Sequence, residues 1–330
     1  MPRALERENP PGPEGFRRAP ATRGPRGMER GLLPSVQTKE VAMLNKILVA
    51  LDGSDNAERA LPWVKRYAGK GTSQVVLFRA VPVEGLDEDE RAAKFQEARD
   101  YVQGIEREIN YAGIPCKTLV KSGNPAETIV KAAVAEDADL VLMTTRGGSP
   151  VKRWLIGGVT EQVLRMSPIP VLTVRSQMPL PHQARVRRII MPVDGSRLAE
   201  APLPWAKRLA KLFRAKLIFL HVYPVGPTGL RTRNQDNFEA LRRRLSARVA
   251  ELREEGVKAA FKVQRGDPAE RILIYPDRYD LILTTTHGFG GFKRWVFGSV
   301  AEKLIHASDV PVLVWKTPAQ IRGKSLEAAS

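Results

Sequence analysis

The sequence predicts an α/β protein made of two tandem domains, each a doubly wound parallel sheet with helices on both faces. Three observations carry this. Short apolar runs bounded by turn residues alternate with longer stretches of helical periodicity, as expected for parallel strands buried on both faces. The chain has 330 residues, a length that suits two domains better than one core. And the whole pattern occurs twice. KILVALDGS (46–54) returns as RIIMPVDGS (188–196), AERALPWVKRYA (57–68) as AEAPLPWAKRLA (199–210), VKSGNPAETI (120–129) as VQRGDPAERI (263–272), ADLVLMTTRG (138–147) as YDLILTTTHG (279–288), and SPIPVLTVR (167–175) as SDVPVLVWK (308–316). The spacing stays at about 142 residues throughout, so the repeat is a duplicated domain and not a shared motif.

The elements of one copy follow in order. ILVAL is the first strand, closed by an Asp-Gly-Ser turn at Asp52, with Asp194 in the same place in the second copy. The first helix carries Pro62, or Pro204, inside it, which predicts a kink or a late start. QVVLFRAV is the second strand. The helix EDERAAKFQEARDYVQGIEREINYAG has Ala92, Phe95, Ala98, Tyr101, Val102 and Ile105 at helical spacing and is ended by Gly113. CKTLV is the third strand, and the third helix starts at Pro125. In the second copy that helix is shorter, because Pro276 interrupts it. DLVLMT, a glycine-rich loop, a fourth helix and PVLTV complete the unit. Strand and helix thus alternate, as a doubly wound domain requires.

The expected boundaries are 1–42 for a disordered, basic, Pro-rich N-terminal segment, 43–176 for the first domain, 177–186 for a linker, 187–317 for the second domain and 318–330 for a disordered tail. Translation starting at Met28 or Met43 is one expectation of this division.

The net charge of +17 attracts anions without choosing among nucleotides, nucleic acid and acidic lipid. The cations are scattered, and neither a run of stacking aromatics nor a reading helix is visible, so a specific nucleic-acid partner is not expected. No apolar run is long enough to span a bilayer, so no membrane partner is expected either. Cys116 is the single cysteine, which rules out an internal disulfide, reads as a small buried hydrophobe and makes a cytoplasmic location the default. The histidines show no metal-ligand spacing, no GxxxxGK[ST] loop is present, and no G-x-S-x-G turn offers a nucleophile. No general base for hydrolysis can be named.

The two glycine loops, TRGGSPVKRWLIGGVTEQV (145–163) and THGFGGFKRWVFGSVAEKL (286–304), follow the carboxyl end of a strand, where doubly wound folds bind ligands. Each leads into a helix whose first N–H groups suit a phosphate. Plainer readings compete. Ser299-Val-Ala-Glu302 has the spacing of a capping box, which needs no ligand. Asp-Gly turns are common. His221 and His287 read as structural or solvated, and Lys152-Arg153 and Lys293-Arg294 as an exposed loop face.

Taken together, the VALDGS and MPVDGS strands, the SGNPAE and RGDPAE turns and the glycine loops followed by PVLTV and PVLVW resemble the universal stress protein family, over nearly all of residues 44–316. That resemblance implies the strand order 3-2-1-4-5 in each domain and pairing through the fifth strand. The two copies are therefore expected to cover each other's apolar edges as an intrachain pseudo-dimer, leaving a homodimer of whole chains open. It implies a role in stress response as a sensor or regulator of unidentified protein partners. Its implied ligand is an adenine nucleotide, ATP or AMP, with or without Mg2+. Hydrolysis, where the family shows it, is slow.

Nucleotide-binding members carry G-x2-G-x9-G-[ST]. The second copy reads Thr285-x2-Gly288-x9-Gly298-Ser299 and the first Thr144-x2-Gly147-x9-Gly157-Gly158. Threonine replaces the first glycine in both, and Gly158 replaces the hydroxyl residue in the first. The implied contacts in the second copy are Pro192, Val193, Asp194, Val222, Thr285, His287, Gly288, Gly298, Ser299 and Val300. In the first they are Leu51, Asp52, Ala80, Thr144, Arg146, Gly147, Gly157, Gly158 and Val159. The aspartates would meet adenine or ribose, Val222 and Ala80 would flank the base, and the glycine-loop residues would hold ribose and phosphates. The second copy keeps more of the motif and is the better site. The alternative is an interaction scaffold whose pockets are vestigial.

Overall fold

Residue pairing in the computed structural model joins both copies into one ten-stranded sheet, ordered β3-β2-β1-β4-β5-β10-β9-β6-β7-β8. The structure describes residues 44–68, 74–145, 158–181, 186–224, 234–278, 280–286 and 298–316. The expected N-terminal segment, residues 182–185 of the linker, the tail and the greater part of both glycine loops lie outside these.

In the first copy the strands are β1 (Lys46–Leu51), β2 (Gln74–Val81), β3 (Cys116–Ser122), β4 (Leu140–Thr145) and β5 (Val171–Arg175). In the second they are β6 (Arg188–Pro192), β7 (Lys216–Tyr223), β8 (Ala259–Arg265), β9 (Asp280–Thr285) and β10 (Val312–Trp315). Each copy has the order 3-2-1-4-5 with parallel neighbours. Among the described residues the single antiparallel pairing is the seam, where Val312, Leu313 and Val314 oppose Thr173, Leu172 and Val171. The two apolar fifth strands thus cover each other, as the edge argument requires. The strands left at the outer edges, β3 and β8, are the least buried and carry Lys117, Lys121, Lys262 and Arg265, cations that discourage further pairing.

The helices are α1 (Asp55–Glu58), α2 (Leu61–Tyr67), α3 (Glu88–Tyr111), α4 (Pro125–Ala135), α5 (Gly158–Met166), α6 (Arg197–Glu200), α7 (Leu203–Phe213), α8 (Asn234–Glu254), α9 (Pro268–Ile274) and α10 (Ser299–Ala307). One expected helix is two in each copy. Pro62 and Pro204 stand in the first turn of α2 and α7, where a missing N–H costs nothing, so each helix restarts there. The α3 stripe is shorter than its spacing suggests: Ala98, Val102, Ile105 and Ile109 are buried, whereas Ala92 is exposed and Phe95 half-buried. Residues 88–94 at the start of α3 are all exposed, so the apolar spacing there covers no core. α9 ends two residues before Pro276 and is shorter than α4.

Two apolar layers result. One packs α2, α3, α7 and α8 on the sheet through residues such as Trp63, Val102, Leu209 and Leu245, and the other packs α4, α5, α9 and α10 through Ile129, Val163, Ile272 and Leu304. Both run through the seam. On the first face Tyr67 of α2 meets Phe213 of α7 edge to face at 5.6 Å. Arg208 of α7 reaches Asp139 of the first copy at 3.3 Å. Met178, from the start of the expected linker, is 3% exposed in the shared core, and its carbonyl accepts from Arg59 at 3.0 Å. Cys116 opens β3 half-buried rather than fully buried as its composition suggests, and burial, with Glu106 nearby, pushes its thiol up to about 12, which disfavours the thiolate.

Candidate functional site

In the second copy β6 lies between β7 and β9, and the chain leaves β6 toward one neighbour while β9 returns on the other side. This reversal opens a crevice at the carboxyl ends of the strands. Pro192, Val193 and Asp194 stand at the end of β6, Val222 near the end of β7, and Thr285 at the end of β9. The Gly298 amide donates to the Thr286 carbonyl at 2.8 Å, which fastens the start of α10 beside the end of β9. Gly298, Ser299 and Val300 therefore reach the same rim. His287 and Gly288 lie outside the described residues, as do Lys293 and Arg294.

Ser299 does not cap the helix, contrary to the capping-box spacing. Gly298 is the N-cap (φ −60, ψ 140), Ser299 is the first helical residue, and no side chain caps the turn. The spacing is read one residue out of register because the helix begins where the Thr286 carbonyl anchors Gly298. The other helix starts whose N-cap residue is described are satisfied. Ser54, Asp87, Asn124, Ser196 and Asp267 accept from the first-turn amides of α1, α3, α4, α6 and α9, and α2 and α7 carry proline. Among the starts whose N-cap residue is described, α10 alone has neither device; the residues before α5 and α8 lie outside the described ones. Its first-turn N–H groups and partial positive charge face the crevice end of the sheet.

The Asp194 carboxylate belongs to the Asp-Gly-Ser turn. Its Oδ1 accepts from the Ser196 amide at 2.9 Å and hydroxyl at 2.7 Å, and Ser196 in turn caps α6. Gly195 takes φ +93, a conformation glycine adopts without strain. Asp52 repeats the arrangement, with Ser54 at 2.9 and 2.5 Å. The turn reading of these aspartates is thus correct for one oxygen, while both side chains stay exposed on the rim.

The first copy offers a plainer rim. Leu51 is buried, Asp52 exposed and Ala80 half-buried at the ends of β1 and β2. Thr144 is half-buried, and its carbonyl accepts from the Thr160 hydroxyl at 3.1 Å, which fixes the first turn of α5 to β4. Gly158 and Val159 open α5 and are exposed. Arg146, Gly147 and Gly157 lie outside the described residues, with Lys152 and Arg153. Thr285 is 5% exposed, so its side chain is largely packed away from solvent.

Three residues behind the turns escape motif reasoning. His221 Nδ1 donates to the Val193 carbonyl at 2.8 Å and its ring stacks on Phe238 at 6.1 Å. Arg244 of α8 donates to the Gly195 carbonyl at 3.0 Å and also pairs with Glu200. In the first copy the position of His221 is held by Arg79, which packs under Gly53, pairs with Glu97 at 3.3 Å and lies 5.0 Å from the Tyr101 ring. Aligning the repeats residue by residue would have exposed the Arg79–His221 exchange. Among the described residues no cluster of His, Cys, Asp or Glu could hold a metal, and no helix is long and apolar enough to cross a membrane.

The chain is similar to known proteins along most of its length. It is 26% identical over 292 residues to a universal stress protein of Mycolicibacterium smegmatis, covering 81% of this chain and 96% of that one. It is 32% identical over 155 residues to the universal stress protein MJ0577 of Methanocaldococcus jannaschii, covering 40% and 96%. A universal stress protein structure from Archaeoglobus fulgidus superposes with a TM-score of 0.64 at 24% identity, covering 83% of this chain and 98% of that one, which supports the fold. The profile of the Universal stress protein family matches residues 43–175 and again 185–316. With two matching domains joined through their fifth strands, the chain belongs to the universal stress protein family.

Proposed function

We propose that the protein is an adenine-nucleotide sensor or regulator in stress response, with the second copy as the principal site and ATP or AMP as the ligand. The observation that carries this is the uncapped first turn of α10 on the rim beside Asp194. A glycine start without a capping side chain costs a few tenths of a kcal/mol against a good cap, and it leaves the first-turn amides without a side-chain partner. The other helices whose N-cap residue is described carry a capping side chain or a first-turn proline, whereas α10 starts bare, and an anion is what bare first-turn amides accept. Gly298 has an ordinary φ, so its role here is space and not backbone freedom. Asp194 would meet the ribose or base, Val222 would flank the base, and Gly298, Ser299 and Val300 would hold phosphate oxygens. Where Mg2+ accompanies ATP, phosphate oxygens and water together would supply most of its ligands.

For the first copy the alternative, a paired scaffold with a vestigial pocket, rests on Gly158, which stands where Ser299 stands in the second copy. Mass spectrometry of the small molecules released when the purified chain is denatured tests both. Co-purified ATP or AMP, lost in Asp194→Ala and kept in Asp52→Ala, is the expected result. A chain that releases none and binds none at millimolar ATP would leave only the scaffold.

A further inference from the structure

The antiparallel seam has a geometric consequence. It lays the end of β5 beside the start of β10, and β10 begins just after α10 ends. Arg175, the last residue of β5, donates from Nη1 to the carbonyls of Ala307 at 3.1 Å and Ser308 at 3.4 Å and pairs with Asp309 at 3.1 Å. Lys316, its equivalent in the repeat, donates to the Arg165 carbonyl in the last turn of α5. Each cation therefore closes the C-terminal end of the helix that, in the other copy, opens onto the candidate site.

We infer that Arg175 and Lys316 are positioning residues for the opposite copy's site, so that each nucleotide cradle is completed by the copy that does not contain it. This rests on the proposed nucleotide reading for its functional meaning, although the mechanical coupling stands without it. The final carbonyls of a helix lack intrahelical partners and carry its partial negative charge, so a cation there stabilises the helix as a unit. α10 is nine residues long. Its last turn and its first lie only about two turns apart, too few for the start to stay ordered while the end frays. Arg175 is 21% exposed, so solvent screens its contact only in part. No capping side chain holds the other end of α10. The purchase on its start therefore comes from the Thr286 anchor, the buried residues Ala301, Leu304 and Ile305, and the far-end cation.

The full chain, Arg175→Met and Arg175→Lys test this by two readouts, amide hydrogen exchange along residues 302–307 and calorimetric titration with ATP and with adenosine. In Arg175→Met, exchange is expected to rise roughly 3- to 10-fold along the hydrogen-bonded amides of α10, including Glu302, whose amide closes the first turn on the Gly298 carbonyl, with β6 and β7 unchanged. ATP affinity should fall by a similar factor, adenosine affinity should hold, and Arg175→Lys should restore most of both. Faster exchange confined to the last turn, or a Glu302 amide as protected as in the wild type, overturns the inference. If the wild-type chain binds no ATP, the nucleotide reading fails, and the exchange of Glu302 still decides whether the seam cation acts across the helix.

Discussion

Replacing Gly298 by aspartate should make the protein more stable and a poorer nucleotide binder at once. Gly298 has φ −60 and ψ 140, the extended geometry of an N-cap open to any L-residue. No strain is therefore imposed. An aspartate there accepts from the first-turn amides as Asp87 does in α3, where Oδ1 meets the Glu90 amide at 2.8 Å. Glycine is a tolerable cap, so the capping gain is a few tenths of a kcal/mol, and the carboxylate's interaction with the helix charge adds roughly 0.3–1 kcal/mol. A total of about 0.5–1 kcal/mol should raise the thermal midpoint by about 2 °C. The same carboxylate fills the amides that a phosphate would use and repels it. Two unit charges about 4 Å apart at an effective dielectric constant near 20 repel by about 4 kcal/mol, so a tenfold loss of ATP affinity, about 1.4 kcal/mol, is a lower bound. Differential scanning calorimetry without ligand and titration with ATP read the two effects, with Gly298→Ser as the uncharged control, gaining less stability and losing less affinity. A Gly298→Asp chain that melts earlier than wild type, or binds ATP equally well, refutes the reasoning.

Other outcomes follow from the seam. Tyr67 is buried and its hydroxyl has no hydrogen-bond partner among the described residues, so Tyr67→Phe keeps the ring contacts with Trp63 and Phe213 and should stabilise the chain by about 1 kcal/mol in urea unfolding; a loss would mean that the hydroxyl is hydrogen-bonded or solvated. Leu313 is 2% exposed opposite Leu172 across the seam, and Leu313→Ala should cost about 2–5 kcal/mol in the same assay. Burial holds the His306 imidazole below its ordinary 6.5, Glu302 and Glu161 oppose this, and Arg175 adds to it. The unfolded chain then takes up its proton first, so stability present above pH 6.5 should be lost as pH falls toward the folded-state value, and His306→Gln should flatten that slope.

The fold was readable because its information is periodic. Buried runs such as DLVLMT and PVLVW, repeated at a constant interval, leave few topologies other than a duplicated parallel sheet. The seam was readable from the family resemblance, which puts IPVLTVR and its repeat at the sheet edges and pairs them, together with the argument that an apolar edge strand is a liability unless covered. The site was less readable. Asp52 and Asp194 could be placed on the rim, since a turn after a strand has one address. The start of α10 could not, because Ser299-x-x-Glu302 fits a capping box equally well until the Gly298–Thr286 hydrogen bond fixes the register. Arg79, Arg244 and His221 were invisible as site neighbours, because their contacts come from packing between a strand, a turn and a long helix and leave no local motif. Arg175 and Lys316 acquire meaning only when the antiparallel seam sets them against the other copy's helix.

The claim beneath all of this is that the amides at the start of α10 hold a phosphate, and their own resonances report it most directly. In amide nuclear magnetic resonance spectra of the full chain, saturating ATP should move the signals of Ser299, Val300 and Ala301 while adenosine leaves them nearly in place. Unmoved signals at saturating ATP would contradict the account.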